Sequence, residues 1–283
     1  LNWVETEDGA FIALHRRARE GAPAVLLCHG ISSNHHFWDL EPGRSLSLHL
    51  WDAGFDVWNM DLRGHGDALK GPDGRRQPAG WSMDTYGVYD VPAAVAYIKA
   101  ETGVQKLSYV GHSMGGMVLA VYLATFGDEV LSSAVVVASP LDFRDGDWLT
   151  HAAMANAHLV TKLPFLPTPL GARYLALAGR TAPLGIDELV LNPDNFTRRA
   201  ERLTMRTVVS PMSKGEIQQF TAMWDGEFRS LDGQMRYRDY LAAVDVPMLF
   251  FTGRADRIVT PDMVWTYFNS VSSPEKEFVV MSK

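Results

Sequence analysis

The sequence predicts an α/β protein built on a mostly parallel central sheet, with flanking helices and a mainly helical insertion. Three observations carry that expectation. Short apolar, β-rich runs alternate with helical patterns up to about residue 140 and again after residue 240, which is how successive βαβ units read. From about Leu141 to Tyr240 the alternation stops and no comparable strand signal occurs. The length, 283 residues, is near the size at which one hydrophobic core stops growing, so a core carrying an insertion is favoured over two independent domains. Residues 1–140 and 241–283 are therefore expected to form the α/β core, and 141–240 a helical cap or lid.

The elements follow in chain order. The runs FIALHRR, PAVLLCHG, DVWNMDLRG, KLSYVGHS, LSSAVVVASP, PMLFFTGRAD and EKEFVVM read as strands, each short, apolar and rich in β-branched or aromatic residues. SLSLHLWDAG and VPAAVAYIKAETG read as helices, the second with Asp90 as its N-cap and Gly103 as its stop signal. A further helix is expected from Gly115 to Phe126, ended by Gly127. In the insertion, Leu149, Ala152, Ala153, Leu159 and Val160 fall at helical spacing before the three prolines of KLPFLPTPLG break the chain.

Composition excludes several function classes. Hydrophobic residues at 47% and charged residues at 21% describe an ordinary water-soluble globular chain. The net charge of -7, with Lys and Arg scattered, argues against a nucleic-acid partner. No apolar run approaches the roughly 20 residues of a membrane span, and LNWVETEDGA lacks signal-peptide features, so a cytoplasmic location is expected. The chain starts at Leu1 without an initiator methionine, which implies that something upstream is trimmed or left out. The single cysteine, Cys28, excludes an intramolecular disulfide and reads as a buried strand residue in a reducing compartment.

The chemistry centres on Gly111-His112-Ser113-Met114-Gly115. This G-x-S-x-G pattern arises by chance in about one chain in ten, so its context decides its weight. A strand runs into it and an apolar helix leaves it, the setting of a nucleophile elbow. The glycines relieve crowding at a sharp strand-to-helix turn, which lifts the Ser113 hydroxyl out of the sheet. Met114 N–H is then one oxyanion donor. The loop after AVLLCHG supplies the second, for which Ile31 N–H is the candidate.

With CHGISSN, MDLRGHGDA, GHSMGG and GRADRIVTP in this order, the chain resembles the α/β-hydrolase fold family over nearly its whole length. The stretch LEPGRSLSLHLWDAGFDVWNMDLRGHG also resembles acid lipases, and the general pattern resembles polyhydroxyalkanoate synthases, which carry cysteine where this chain has Ser113. The resemblance implies a triad in the order Ser, acid, His. Asp256, after PMLFFTG, is the expected acid, with Asp142 in ASPLDF as the alternative; Asp145 and Asp147 read as solvated loop charges, and Asp61 as a structural turn residue.

All nine histidines, His15, His29, His35, His36, His49, His65, His112, His151 and His158, precede Asp256. The base is therefore expected on a loop beyond EKEFVVMSK, after Lys283. His112 reads as packing beneath the sheet, His29 as support for the oxyanion loop, and His65 as part of the RGHG turn. His151 and His158 fall seven apart on the expected cap. His35 and His36 with Asp39 lack partners at a recognisable ligand spacing, so no metal is expected, and no organic cofactor is implied.

The resemblance thus implies a serine carboxylester hydrolase of esterase or lipase type, working through an acyl-enzyme on Ser113. A serine at the elbow argues against dehalogenase and epoxide hydrolase chemistry, which uses aspartate there. Phe37 and Trp38 are candidate substrate-binding residues for an apolar acyl chain, and core packing is the other reading for both. An acyltransferase, a polyester synthase or depolymerase, and a noncatalytic binding protein of the same fold are the competing functions. A small-molecule ester is the expected partner.

Overall fold

The computed structural model describes residues 1–143, 165–178, 192, 195–223 and 228–282. Ten strands are described: β1 Asn2–Glu5, β2 Phe11–Arg17, β3 Ala24–Cys28, β4 Asp56–Asp61, β5 Leu107–His112, β6 Leu131–Val137, β7 Phe165–Leu166, β8 Met212–Ser213, β9 Met248–Gly253 and β10 Lys276–Met281. Eight form one sheet in the order β1-β2-β4-β3-β5-β6-β9-β10. β1 and β2 pair antiparallel, as do β2 and β4, while every pairing from β4 to β10 is parallel. β7 and β8 form a separate two-stranded ribbon.

Strand burial follows from position. Ala24–Cys28 and Asp56–Asp61 are buried at every residue, because a central parallel strand is covered on both faces. Leu26, Cys28, Trp58, Met60 and Tyr109 enter the larger core cluster, whereas Val25, Leu27, Val57 and Val110 enter a smaller one. This period-two division assigns one cluster to each face of the sheet.

The helices are α1 Leu46–Asp52, α2 Met83–Thr85, α3 Val91–Thr102, α4 Met114–Phe126, α5 Thr168–Ala178, α6 Arg198–Thr207, α7 Lys214–Ala222 and α8 Pro261–Ser270. Every residue of α4 from Met114 to Leu123 is buried, as expected of a helix that is apolar all round. Gly103 ends α3 in the left-handed region at φ 75°, and Gly127 ends α4, as their positions predict.

Three sequence expectations change. Asp90 does not cap α3: a π-helical turn at Tyr86–Asp90 joins α2 to α3, and the true start is Ser82, which forms a capping box with Thr85. The Asp90 carboxylate instead takes the Arg63 Nε at 2.7 Å and the Arg63 N–H at 3.1 Å. Burial pushes its pKa up to about 6 despite that guanidinium. β1 is an unanticipated edge strand, and the short ribbon β7–β8 falls within 141–240. α5, α6 and α7 also lie in that stretch. Asp145, Asp147, His151, His158 and the helical spacing from Leu149 to Val160 lie outside the described residues.

Candidate active site

Ser113 stands between β5 and α4 with φ 50° and ψ -116°, a backbone conformation that costs a non-glycine residue about 1–3 kcal/mol. Its surroundings hold it there. The Ser113 N–H donates to the Val137 carbonyl at 2.9 Å, and the Ser113 carbonyl accepts from Gly116 N–H at 3.0 Å. Two buried tyrosines secure the first turn of α4: Tyr109 Oη donates to the Gly115 carbonyl at 2.9 Å, and Tyr267 Oη to the Gly116 carbonyl at 3.1 Å. A Cβ at Gly111 would meet the backbone of Gly115 and Gly116 at 2.6 Å, and one at Gly115 would strike the Cys28 carbonyl. Both glycines of the motif are therefore steric necessities.

The loop after β3 crosses directly over this turn. A Cβ at Gly30 would fall 2.9 Å from His112 Nδ1 and 3.2 Å from Ser113 Cβ. Ile31 follows on that loop, and Met114 heads α4, whose first-turn N–H groups have no intrahelical acceptor. Met114 directly follows Ser113, and Ile31 follows the glycine that packs against Ser113. Ser32, at φ 53°, is a second strained non-glycine residue here.

Phe37 stacks on His112, with ring centroids 4.3 Å apart at 21°, and stays 36% exposed. Trp38 is 5% exposed and packs with Val25, Leu27, Val57 and Val110. Its indole packs in the core beneath the loop, in line with the core-packing reading of this residue.

Asp256 follows the carboxyl end of β9. Because β5, β6 and β9 run parallel, that end lies at the same edge of the sheet as Ser113. Asp256 Oδ1 accepts the N–H groups of Ile258 and Val259, both at 2.9 Å, which fixes the carboxylate. Asp142, after β6, is 1% exposed.

No hydrogen bond joins Ser113 Oγ to a histidine among the described residues. Burial pushes the His112 pKa down to about 4, so the ring is neutral near pH 7. His29 lies between Gly30 O, 2.8 Å from its Nδ1, and Leu62 N–H, 3.3 Å from its Nε2; burial and the neighbouring His65 push its pKa down to about 3. Its contacts require the Nδ1–H tautomer. His65 lies 3.2 Å from Glu216 of α7, both fully buried. Burial opposes charge on His65, but the Glu216 carboxylate outweighs it and raises the pKa.

A second constellation escaped the sequence reading. His35 pairs not with Asp39 but with Asp61, at 2.8 Å, beside His15 and Asp67. Asp39 is taken by Arg17 and Ser45, each at 2.6 Å. The missing signal is the antiparallel pairing of β2 with β4, which brings His15 opposite Asn59 and so close to Asp61.

The sequence pattern of the alpha/beta hydrolase fold matches residues 23–283. The chain belongs to the alpha/beta hydrolase fold family. This alpha/beta hydrolase is 35% identical to Lipase 1 of Drosophila melanogaster over 122 residues, 41% of the chain and 27% of that protein. It is 36% identical to gastric triacylglycerol lipase of Homo sapiens over 125 residues, 40% of the chain and 31% of that lipase. The matched stretches thus span 27% and 31% of these two curated relatives. Among solved structures, it superposes on an esterase from Exiguobacterium antarcticum with a TM-score of 0.68 at 16% identity, over 99% of the chain and 90% of that structure. A thioesterase domain from the curacin biosynthetic pathway gives 0.63 at 17%, over 100% and 92%. At such identities the likeness concerns the fold. Among the described residues, no helix of this alpha/beta hydrolase is long and apolar enough to cross a membrane.

Proposed function

We propose that the protein is a serine carboxylester hydrolase acting on esters with an apolar acyl group. The observation that supports this most is the strained Ser113 backbone at the head of α4, with the Gly30–Ile31 loop packed against it. In this reading Ser113 Oγ attacks the acyl carbonyl, and the Met114 and Ile31 N–H groups stabilise the tetrahedral oxyanion. Collapse expels the alcohol and leaves an acyl-enzyme, which water then cleaves to release the acid.

An imidazole is needed to take the Ser113 proton and return it to the leaving alkoxide, and Asp256 is the carboxylate proposed to orient that ring. Phe37 is proposed to line the acyl site, where its exposed ring offers apolar surface beside Ser113. The lipase relatives agree with an ester substrate. Residues 141–240 are proposed to act as a cap: Ser210 and Thr168 of that stretch bond Ser32, and Ser210 and Thr207 bond Asn34, close to the proposed oxyanion donor.

The test is hydrolysis of p-nitrophenyl esters of graded acyl length by the full-length protein and its Ser113→Ala variant. Turnover by the wild type that falls at least about a thousandfold in the variant is expected. Equal rates in the two proteins would overturn the reading.

A further inference from the structure

Four metal-ligating side chains converge where β2, the loop after β3 and the exit of β4 meet. We propose that His15, His35, Asp61 and Asp67 bind one divalent transition-metal ion of the zinc class. One donor atom from each lies within 4.8 Å of the others. His15 Nε2 is 3.3 Å from Asp61 Oδ2 and 3.4 Å from Asp67 Oδ2, and His35 Nδ1 is 2.8 Å from Asp61 Oδ2. A tetrahedral ion with bonds of about 2.05 Å sets its ligand atoms about 3.3 Å apart. Two of these three edges already have that length, and the third needs an opening of about 0.5 Å to match it.

These groups gather around a single buried carboxylate. Asp61 Oδ2 faces three nitrogens, adding Asp67 N–H at 2.9 Å to the two imidazoles, while Asp61 Oδ1 accepts His35 N–H at 2.7 Å. His15 Nε2 can present one proton, yet it faces two carboxylate oxygens at nearly equal distance. The His15 and His35 rings are stacked at 3.7 Å with 20° between planes, so charging both would set two cations face to face. An ion satisfies the same geometry with neutral imidazoles, using their lone pairs, and its two charges match the two carboxylates.

The donor set selects the ion. Two imidazole nitrogens and two carboxylate oxygens suit zinc, whereas calcium and magnesium prefer oxygen alone. Access is from one side: the Asp61 side chain forms a floor with no exposure, and the Asp67 side chain is 51% exposed at the rim. His15 is on β2 and Asp61 ends β4, so two ligands are preset by the sheet. His35 begins the short turn that carries Phe37, and through it the ion ties the loop after β3 to the sheet. Ion binding at this site does not depend on ester hydrolysis.

The experiment uses untagged full-length protein, stripped with a chelator, dialysed and titrated with zinc chloride in a calorimeter. One ion per chain with submicromolar Kd is expected, not displaced by millimolar magnesium or calcium. X-ray absorption should show two imidazole nitrogens and two oxygens at about 2.0–2.1 Å. Asp67→Asn, at the exposed rim, and His15→Gln should each weaken binding at least about tenfold while circular dichroism stays unchanged. Absence of saturable binding, or wild-type affinity in the correctly folded Asp67→Asn protein, overturns the proposal.

Discussion

Ser32 and Ser210, 178 positions apart, hold each other by reciprocal bonds: Ser210 N–H donates to the Ser32 carbonyl at 2.9 Å, and Ser32 Oγ donates to the Ser210 carbonyl at 2.6 Å. Ser32 pays for this with a positive φ of 53° in the residue that follows Ile31. The Ser210 hydroxyl extends the clasp, accepting Asn34 Nδ2 and Gly66 N–H, each at 3.1 Å. A residue far along the chain, in the segment between α6 and β8, therefore holds the loop beside the elbow.

Ser210→Ala removes that acceptor and leaves the Gly66 N–H unpaired. A loss of about 1–2 kcal/mol in unfolding free energy by urea denaturation is expected. Because the clasp adjoins Ile31, the ester-cleavage rate should fall as well.

Strain at Ser113 gives a stability signature separate from chemistry. Ser113→Gly and Ser113→Ala both remove the hydroxyl, but only glycine is at ease at φ 50°. The glycine variant should be more stable than the alanine variant by about 1 kcal/mol, measured as the difference in denaturation midpoint at equal slope.

Gly30→Ala tests the close approach over the elbow. Its Cβ must displace either the His112 ring or the loop bearing Ile31. If Ile31 N–H is an oxyanion donor, steady-state kinetics should show kcat falling about 100-fold with KM little changed.

His112 carries a pH dependence with a defined sign. Its pKa drops from 6.5 to about 4 on folding, so the unfolded chain binds more protons between those values. The stability that its neutral ring confers is present above about pH 6.5 and is lost as pH falls toward 4. Relative to His112→Gln, the wild type should lose up to about 1.4 kcal/mol per pH unit across that window. Urea titrations of both proteins at pH 7, 6 and 5 check this.

Local features were legible where one segment determines them. Gly103 and Gly127 end helices because a left-handed or otherwise positive φ there favours glycine, and G-x-S-x-G marks Ser113 because its glycines serve the turn itself. Legibility ended where distant segments decide. Asp90 looks like a cap in sequence, but Arg63 arrives from the β4 exit and claims its carboxylate. Trp38 looks like a pocket residue beside Phe37, yet its neighbour relation to Val25, Val57 and Val110 exists only once the sheet is assembled. His35 seemed to have only local partners, because strand register rather than spacing delivers His15 and Asp61.

The nucleophilic role of Ser113 is tested most directly by treating the full-length protein with a fluorophosphonate and locating the adduct by peptide mass spectrometry. A single stoichiometric phosphonyl group on Ser113, absent from the Ser113→Ala protein, is the predicted result. An unlabelled Ser113 in the folded full-length protein, or labelling that persists in Ser113→Ala, would contradict the account.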